Sequence, residues 1–422
     1  MLMQPLRFCM LTTFYPPWSF GGDAVQVRRL AHALADRGHE VTVVHSLEAY
    51  RAMAGGSGAA TPGLHPGVRL VHIDTGAGVL SPLATQLTGR PLLSGRAIRR
   101  ALDAPYDVLH FHNPSLLGGP RALALGGGVK LYTLHEQWLI CPTHVLWKDK
   151  REVCVDPHCT RCQLIYRRPP QLWRHSRLVA RSVGQLDALI APSRTSADLH
   201  ARFADRVHIE HIPHFVEEPP ATEAYAGERP YFLYAGRLEP IKGVSRAIAA
   251  FRRRPPEDLL IVGSGTIADR LRREAADLPN VHFLGWRSPG ELSALYRGAV
   301  AVIVPTLGHE AFGLVALEAF AHGTPAVVPR FGALLELVEA SGGGLTYADD
   351  DELHNALGRL AQDESLRAEA GRRGREAFLA RWTPERHLDR YFRLVEAMAE
   401  RRGDARLAAR ARTARLAEPL GT

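Results

Sequence analysis

Two glutamates, Glu310 and Glu318, stand eight positions apart in the otherwise apolar stretch from Gly308 to Val328. A carboxylate beside apolar neighbours has to be paired or hydrogen-bonded, and the hydroxyls of a ribose or another sugar are suitable donors. The predicted helix begins near Phe312 or Gly313, so Glu310 lies in the preceding loop and Glu318 inside the helix. The structural alternatives are a helix cap for Glu310 and an ion pair with an arginine for Glu318.

Positive charges and glycines occur in two other predicted loops. GRLEPIKG places Arg237 and Lys242 around a proline-containing turn at the end of a predicted strand. Two cations there suit a diphosphate, although solvated loop cations would look the same. Gly21 and Gly22 precede a predicted helix, whose backbone N–H groups can approach a phosphate closely. A glycine pair before a helix also occurs in tight turns, which leaves that alternative open.

The elements that must position these residues follow one order at two places in the chain. RFCMLTTF, a glycine loop, the helix DAVQVRRLAHALADRG and the strand EVTVVHS come first. YFLYAG, the loop with the two cations, the helix VSRAIAAFRRR and the strand LLIVGSG repeat that order. Both helices carry apolar residues at i, i+3, i+4 and i+7. The pattern predicts an α/β fold with two doubly wound, Rossmann-like parallel sheets, which bind ligands at the carboxyl ends of their strands.

A chain of 422 residues is long enough for two ordinary domains. We predict an N-terminal domain over 1–215, a linker rich in proline and acids over 216–229, and a C-terminal domain over 230–384. Residues 385–422 are predicted to form helices that pack back on the N-terminal domain and end in a basic tail. A flexible loop is predicted at 55–66.

The net charge of +8 is unevenly distributed. No Asp or Glu occurs between Pro157 and Leu186, and the aromatic residues there are limited to Tyr166 and Trp173. So few aromatics do not make a stacking platform for nucleic acid, and the stretch instead predicts contact with an anionic membrane surface. The arginines after Arg401 can equally be a solvated face. The arginines of the first stretch are Arg161, Arg167, Arg168, Arg174, Arg177 and Arg181.

Composition limits the compartment. No apolar run approaches the roughly 18 residues that span a bilayer. The N-terminal MLMQPLRFCMLTTFYPPW has neither a basic region nor a small-residue cleavage site, which predicts no signal peptide. Five cysteines, four of them close together, do not resemble a secreted disulfide scaffold. We therefore expect a cytoplasmic protein that is peripheral on the inner face of the cell membrane.

GRLEPIKG followed by PTLGHEAFGLVALEAFAHGTPAVV resembles the retaining glycosyltransferases of family 4, which have the GT-B fold and an E-x7-E pair of glutamates. The resemblance runs from FYPPWSFGGDAVQVRRLAHALADRGHEVTVV to the last helices. It implies a nucleoside diphosphate sugar as the donor. The donor-binding residues that it implies are Gly22, Arg237, Lys242, Glu310, Phe312, Gly313, Leu314 and Glu318.

The resemblance also assigns roles to these residues. The two cations, with Gly22, would hold the donor phosphates, and Glu318 would hold the ribose. Glu310 and the amides of residues 312–314 would hold the transferred sugar and phosphate. Because the cations and helix dipoles would stabilise the leaving diphosphate, no catalytic metal or other cofactor is expected.

Two histidines fit the same resemblance. His112 ends the predicted strand in DVLHFHNP and, by the resemblance, approaches the reacting carbon of the sugar. His135 ends the next strand in LYTLHEQW and is a candidate on the acceptor side. Each could instead be a structural histidine of the core or a loop. The implied catalytic residues are His112, Glu310, Arg237 and Lys242.

The cysteines depart from the family pattern. The loop 136–165, which we assign to the N-terminal domain, contains Cys141, Cys154, Cys159 and Cys162. The final C-x2-C and the two earlier sulfurs match a structural zinc site. Free structural thiols and an iron–sulfur cluster are the alternatives.

We therefore expect a retaining glycosyltransferase that acts on a glycan or lipid-linked acceptor in cell-surface polysaccharide or glycolipid synthesis. One rival is a nucleotide-sugar epimerase on the same fold, which would act on the donor alone. The other is a non-catalytic nucleotide-sugar-binding protein, against which the intact charged residues argue.

Overall fold

The computed structural model describes residues 4–54, 65–253 and 256–416. The predicted loop at 55–66 therefore lies, except for its last two residues, outside the described part of the chain. The chain forms two compact bodies. The first contains the described residues of Met1–His144, His158–Pro213 and Pro384–Thr422, and the second contains those of Val145–Pro157 and His214–Thr383.

Strands β1–β9 precede the long second-body segment. They are β1 (Arg7–Thr12), β2 (Glu40–Ser46), β3 (Val68–Ile73), β4 (Val108–Asn113), β5 (Val129–Thr133), β6 (Trp147–Lys148), β7 (Glu152–Val153), β8 (Ala188–Ala191) and β9 (His208–His211). Seven of them form the parallel sheet of the first body, in the order β3-β2-β1-β4-β5-β8-β9. The antiparallel pair β6 and β7 belongs to the second body.

The second body is built on a six-stranded parallel sheet in the order β12-β11-β10-β13-β14-β15. Its strands are β10 (Tyr231–Ala235), β11 (Asp258–Val262), β12 (Val281–Gly285), β13 (Ala301–Ile303), β14 (Ala326–Pro329) and β15 (Gly344–Tyr347). The prediction of two doubly wound α/β sheets is confirmed. The edge strand β15 was not predicted, because its glycine-rich sequence GLTY lacks an apolar run.

Helices connect the strands. They are α1 (Gly22–Ala35), α2 (Leu47–Ala54), α3 (Leu80–Thr88), α4 (Gly95–Leu102), α5 (Cys159–Ile165), α6 (Leu178–Val183), α7 (Arg194–Leu199), α8 (Val244–Phe251), α9 (Ala268–Glu274), α10 (Pro289–Gly298), α11 (Leu314–Ala321), α12 (Gly332–Ser341), α13 (Asp350–Gln362), α14 (Glu364–Arg381), α15 (Pro384–Arg401) and α16 (Ala405–Leu416). Short 3-10 turns lie at Pro120–Ala124, Leu172–His175, Ala201–Phe203 and Pro240–Lys242. None of the helices described is long and apolar enough to cross a bilayer.

Apolar burial explains why these elements form. The predicted stripes of α1 and α8 both face the core, as the buried Val27 and Leu34 of α1 and Ile248 and Phe251 of α8 illustrate. Strand β10, with the sequence YFLYA, is buried along its whole length. Parallel strands covered on both faces are apolar throughout rather than alternating.

The C-terminal helices complete the core of the first body. Tyr391 of α15 contacts Phe8 of β1, with ring centroids 6.2 Å apart. Arg410 of α16 donates to Asp107 at 2.7 Å and to the carbonyl oxygen of Pro5 at 2.5 Å. Arg402 of the basic tail forms an ion pair with Asp187 of the same body at 3.0 Å. Part of the tail's charge is therefore used in structural ion pairs.

Residues 145–157 differ from the predicted domain division, which placed all of 136–165 in the N-terminal domain. In the structure they group with the second body. Trp147 of β6 is buried there, and its ring comes within 3.6 Å of the position that a Cβ atom on Gly308 would occupy. This apolar packing explains the grouping.

Both sheets reverse their strand order once. In the first the reversal lies between β1 and β4, and in the second between β10 and β13. Ligands of doubly wound sheets bind at such switch points, outside the carboxyl ends of the strands. The glycine pair 21–22 and His112 stand at the first switch point, and the loops with Lys242 and Glu310 at the second.

Candidate functional site

The loops that follow β10 and β13 bring Lys242 and Glu310 together. Nζ of Lys242 donates to Oε1 of Glu310 at 2.6 Å. The two side chains are 34% and 22% exposed, so the pair is accessible to a ligand. A partly exposed ion pair of this kind contributes little stability by itself. Its position at the switch point makes it a candidate for ligand binding.

Glycine permits the close approach of these loops. Gly243 has φ +66°, and a Cβ atom there would lie 1.9 Å from the carbonyl oxygen of Pro305. The amide of Leu307 donates to the carbonyl oxygen of Ile241 at 2.8 Å. Only glycine can hold the Lys242 loop this near to the Glu310 loop.

Arg237 lies on the same loop but has a different partner. Its guanidinium pairs with Glu239 at 3.2 Å and is 57% exposed. Glu239 also accepts a hydrogen bond from the hydroxyl of Thr266 at 2.6 Å. The two predicted diphosphate cations therefore share a loop and an open orientation.

Glu318 has a tyrosine as its hydrogen-bond donor. The hydroxyl of Tyr296 donates to Oε2 of Glu318 at 3.0 Å. The Tyr296 ring stacks on His322 at 4.9 Å, and His322 bonds the backbone carbonyl of Glu318 through Nδ1 at 2.7 Å. Helix α10 thus holds this carboxylate in place from outside its own helix. Neither Tyr296 nor His322 was predicted, because the hydrogen bond from Tyr296 to Glu318 and the stacking of Tyr296 on His322 join separate elements.

Helix α11, which carries Glu318, begins four residues after Glu310. Gly313, with φ +111°, precedes its first residue, Leu314, and Phe312 is buried. The predicted start near Phe312 or Gly313 is thus within two residues. The first N–H groups of a helix have no partner inside it and carry partial positive charge. The predicted phosphate contact of these amides stays a prediction.

In the first body, α1 begins after the glycine pair. Gly21 is the residue before the helix and has extended backbone, with no side chain capping the first turn. Gly22 is the first helical residue, and Asp23 lies in the first turn. Asn113 at the end of β4 donates to Oδ2 of Asp23 at 3.4 Å. Asp23 was not predicted as a site residue, although it directly follows the glycine pair in the sequence.

The two predicted histidines are in direct contact. Nδ1 of His112 and Nε2 of His135 are 2.8 Å apart. Burial lowers the pKa of His135 to about 4, while the charge of Asp23 acts in the opposite direction. One neutral ring must donate to the other, so each fixes which nitrogen of its partner carries the proton.

A third histidine and a tyrosine back this pair. His110 lies 4.0 Å from His112, measured between ring centroids. It bonds the hydroxyl of Thr133 at 2.7 Å and that of Tyr391 at 3.1 Å. Burial holds the pKa of His110 well below its usual range. His110 therefore supports His112 by ring packing, and its own hydrogen bonds to Thr133 and Tyr391 hold it in place.

The four cysteines are divided between the bodies. Cys141, Cys159 and Cys162 belong to the first body and Cys154 to the second. None of the four is joined to another cysteine in a disulfide. Burial raises the pKa of Cys159, and the neighbouring Cys141 and Cys162 add to this. Among the side chains that the structure describes, no three His, Cys, Asp or Glu are arranged to hold a metal ion. The zinc site stays a prediction from spacing.

Two members of the predicted membrane surface are half-buried. Arg174 donates to the carbonyl oxygen of Trp138 at 2.7 Å, and burial lowers its pKa to about 10. Trp173 donates to the carbonyl oxygen of Gln86 at 2.9 Å. These structural contacts were not predicted, because tertiary packing supplies carbonyl acceptors that the local sequence does not reveal. Contact of the stretch with a membrane stays a prediction.

Two family models match the chain in succession. The model described as Glycosyltransferase Family 4 matches residues 20–218. The model described as Glycosyl transferases group 1 matches residues 216–377. Their junction falls at the passage from the first body to the second.

Known proteins match over most of the chain. A D-inositol 3-phosphate glycosyltransferase of Acidothermus cellulolyticus is 31% identical over 415 residues, covering 86% of this chain and 84% of its own. A phosphatidyl-myo-inositol mannosyltransferase of Mycolicibacterium smegmatis is 28% identical over 372 residues, covering 83% of this chain and 85% of its own.

Solved structures share the fold. Sucrose-phosphate synthase from Thermosynechococcus elongatus superimposes with a TM-score of 0.71 at 20% identity, covering 95% of this chain and 100% of its own. Anabaena HepE in complex with UDP gives a TM-score of 0.61 at 17% identity, covering 94% and 100%.

Proposed function

This chain belongs to the glycosyltransferases of family 4 and has their GT-B fold, and from this premise we propose that it is a retaining enzyme that needs no catalytic metal. It would move a sugar from a nucleoside diphosphate donor to a glycan or lipid-linked acceptor, in cell-surface polysaccharide or glycolipid synthesis. The observation that carries the proposal is the contact between Lys242 and Glu310 at the switch point of the second body.

The second body would bind the donor. Lys242 and Arg237 lie on one loop with exposed cationic groups, which suits the two phosphates of a nucleoside diphosphate. Glu318, which Tyr296 holds in place, would accept hydrogen bonds from the ribose hydroxyls. Glu310 and the amides of residues 312–314 would contact the sugar and its phosphate.

The first body would bind the acceptor. His112 would approach the reacting carbon, and His135 would orient it through their 2.8 Å contact. Gly22 at the start of α1 would help to hold the donor phosphate. Because both curated relatives named above carry inositol in their names, inositol-containing acceptors belong in the assay panel.

Retention of configuration would come from substitution on one face of the sugar. The bond from the anomeric carbon to the diphosphate oxygen breaks as the acceptor oxygen bonds to the same face of that carbon. The acceptor proton passes to the leaving phosphate oxygen. Lys242 and Arg237 would stabilise the negative charge that develops on the diphosphate.

We place the enzyme in the cytoplasm, peripheral on the inner face of the cell membrane. The exposed arginines Arg161, Arg167, Arg177 and Arg181 support contact with anionic lipid. A lipid-linked acceptor would be reached from that position.

A structural zinc ion is a further part of the proposal. The spacing of the four cysteines supports it. Freshly purified protein should contain about one zinc per chain. Cys159→Ser combined with Cys162→Ser should release it, whereas Cys9→Ala, a change in the core of the first body, should not. Protein that contains neither zinc nor iron would contradict the site.

The test of function is a screen of nucleotide sugars by thermal shift, followed by transfer assays. A donor at about 100 times its Kd should stabilise the protein by about 2.7 kcal/mol. The anomeric configuration of the product then reports retention. Epimer formed from the donor alone would favour the epimerase, and donor binding without transfer to any acceptor would favour a non-catalytic binding protein.

A further inference from the structure

Helix α3 (Leu80–Thr88) buries most of its polar side chains and exposes two of its leucines. Ser81, Thr85 and Gln86 are buried, whereas Leu80 and Leu87 are 60% and 47% exposed. The two leucines are seven positions apart and share one face of the helix. An ordinary surface helix turns its apolar stripe towards the core. This helix presents its stripe to the outside.

Further exposed apolar side chains lie on both sides of α3 in the chain and on residues 164–172, which are hydrogen-bonded to α3. Eight of the fourteen exposed large apolar side chains in the described part of the chain fall within 79–93 and 164–172, so exposure is concentrated rather than scattered. Leu172, at 65%, is the most exposed of these eight side chains. We call these residues the apolar patch: Val79, Leu80, Leu87, Leu92, Leu93, Leu164, Ile165 and Leu172.

Buried glutamines join the segments that carry the patch. Nε2 of Gln171 donates to Oε1 of Gln86 at 2.7 Å, and the amide of Gln171 donates to Oε1 of Gln163 at 2.8 Å. Gln86 in turn donates to the carbonyl oxygen of Pro169 at 3.2 Å. Because the inward polar groups are hydrogen-bonded, the inverted arrangement is a built feature of the fold.

The two stretches that carry the patch contain charges of one sign. No acid occurs between Asp74 and Asp103 or between Pro157 and Leu186. Exposed cations on such stretches attract an anionic partner. The exposed arginines of the two stretches are Arg90, Arg96, Arg99, Arg100, Arg161, Arg167, Arg177 and Arg181.

We propose that the apolar patch is the face by which the protein lies on an anionic bilayer. Its leucines enter the boundary between headgroups and acyl chains, and the arginines bind lipid phosphates. The arginines of the two stretches, with no acid among them, favour anionic lipid as the partner. The inference rests on the peripheral location proposed above and assigns it to residues.

The test is sedimentation of the full chain with vesicles of phosphatidylcholine, with and without phosphatidylglycerol. Wild type should bind the anionic vesicles, and salt should weaken binding. Leu80→Ser, Leu87→Ser and Leu92→Ser together should reduce binding at least about tenfold. Leu379→Ser, at a 43% exposed leucine of the second body, is the matched control and should bind like wild type. Arg96→Gln and Arg100→Gln should each cost about fivefold.

Vesicle binding by the triple leucine variant equal to that of wild type would overturn the proposal. So would a patch-dependent dimer that does not bind vesicles, because a second copy would then cover the leucines. Thermal shift with nucleotide sugars should be unchanged in every variant, which also shows that they fold. Vesicle binding without a shift by any nucleotide sugar would sink the proposed function and leave the patch in place.

Discussion

The two bodies hold their candidate residues by different physical means. In the second body, Lys242 and Glu310 are charged, partly exposed and carried by loops. In the first body, His110, His112 and His135 are aligned along strand ends, and burial lowers the pKa of His110 and His135. Exposed charges can adjust to a charged ligand, whereas neutral buried rings keep one orientation. A donor with a diphosphate fits the former arrangement, and a reaction centre that needs fixed geometry fits the latter.

Acidification should produce the largest difference between the two bodies, because it should destabilise the first more than the second. The unfolded-state pKa of histidine is about 6.5. A histidine with a lowered folded-state pKa binds more protons when unfolded, so its contribution to stability is complete above the unfolded-state pKa and is lost as pH falls towards the lower folded-state pKa. The slope is at most about 1.4 kcal/mol per pH unit for each buried residue of this kind, and solvent screening makes it smaller for the exposed His72. The first-body residues with clearly lowered pKa are His39, His45, His72, His110, His135, His200 and His387.

The described second body has two such histidines, His309 and His322. Urea unfolding at pH 7.5 and pH 5.0, followed by limited proteolysis to distinguish the two bodies, should therefore detect this difference. On acidification the free energy of unfolding should fall by several kcal/mol in the first body and by less in the second. Equal losses in the two bodies would remove this difference between them.

Lys242→Met should have the next largest effect. Removal of the cation from a developing diphosphate charge should lower kcat about 10²- to 10³-fold, a cost of about 2.7–4 kcal/mol. Steady-state transfer assays measure it. Arg272→Gln, at an exposed arginine of α9 in the same body, is the control and should keep full turnover. Full turnover in a folded Lys242→Met enzyme would remove the lysine from the reaction.

Glu318→Ala should act on donor affinity. Loss of the carboxylate that accepts the ribose hydroxyls should cost about 1.5–3 kcal/mol, or roughly 10- to 150-fold in Kd. Calorimetric titration with the nucleoside diphosphate measures this, and Glu364→Ala at the start of α14 serves as the control. Unchanged affinity would show that Glu318 is structural.

Tyr296→Phe should give the smallest effect. It removes the hydrogen bond to Glu318 but keeps the carboxylate, so the expected loss is about 0.5–1.5 kcal/mol, roughly two- to tenfold in Kd. The same titration measures it. A loss as large as that of Glu318→Ala would mean that the tyrosine hydroxyl itself contacts the ligand.

The second-body arrangement was largely predictable from sequence. Lys242 and Glu310 follow apolar strands in a repeated strand–loop–helix order, and parallel strands end at one edge of a sheet. Local patterns therefore identified which loops meet. The contact of His112 with His135 follows from the same rule, because β4 and β5 are neighbours in the sheet.

Other features depended on contacts between distant segments. Tyr391 reaches His110 from a helix near the C-terminal end, and Arg174 finds carbonyl acceptors more than thirty positions away. Helix α3 has apolar side chains at helical spacing, which from sequence alone would indicate a core-facing stripe; only the fold shows that they face outward. Burial is decided by tertiary packing, so neither composition nor periodicity predicts it here.

The return of the chain to the first body at Pro384 has a consequence during synthesis. Residues 214–383 can assemble their sheet as soon as they leave the ribosome, whereas the first body lacks Tyr391 and Arg410 until the last helices emerge. The usual order, in which the earlier-made domain folds first, is thereby reversed for the completion of this one. A nascent chain that stops before Pro384 would contain every segment of the second body. Its first body would be unfinished, because α15 would not cover β1. Cellular quality control would meet that uncovered strand in chains that contain the first body but stop before Pro384.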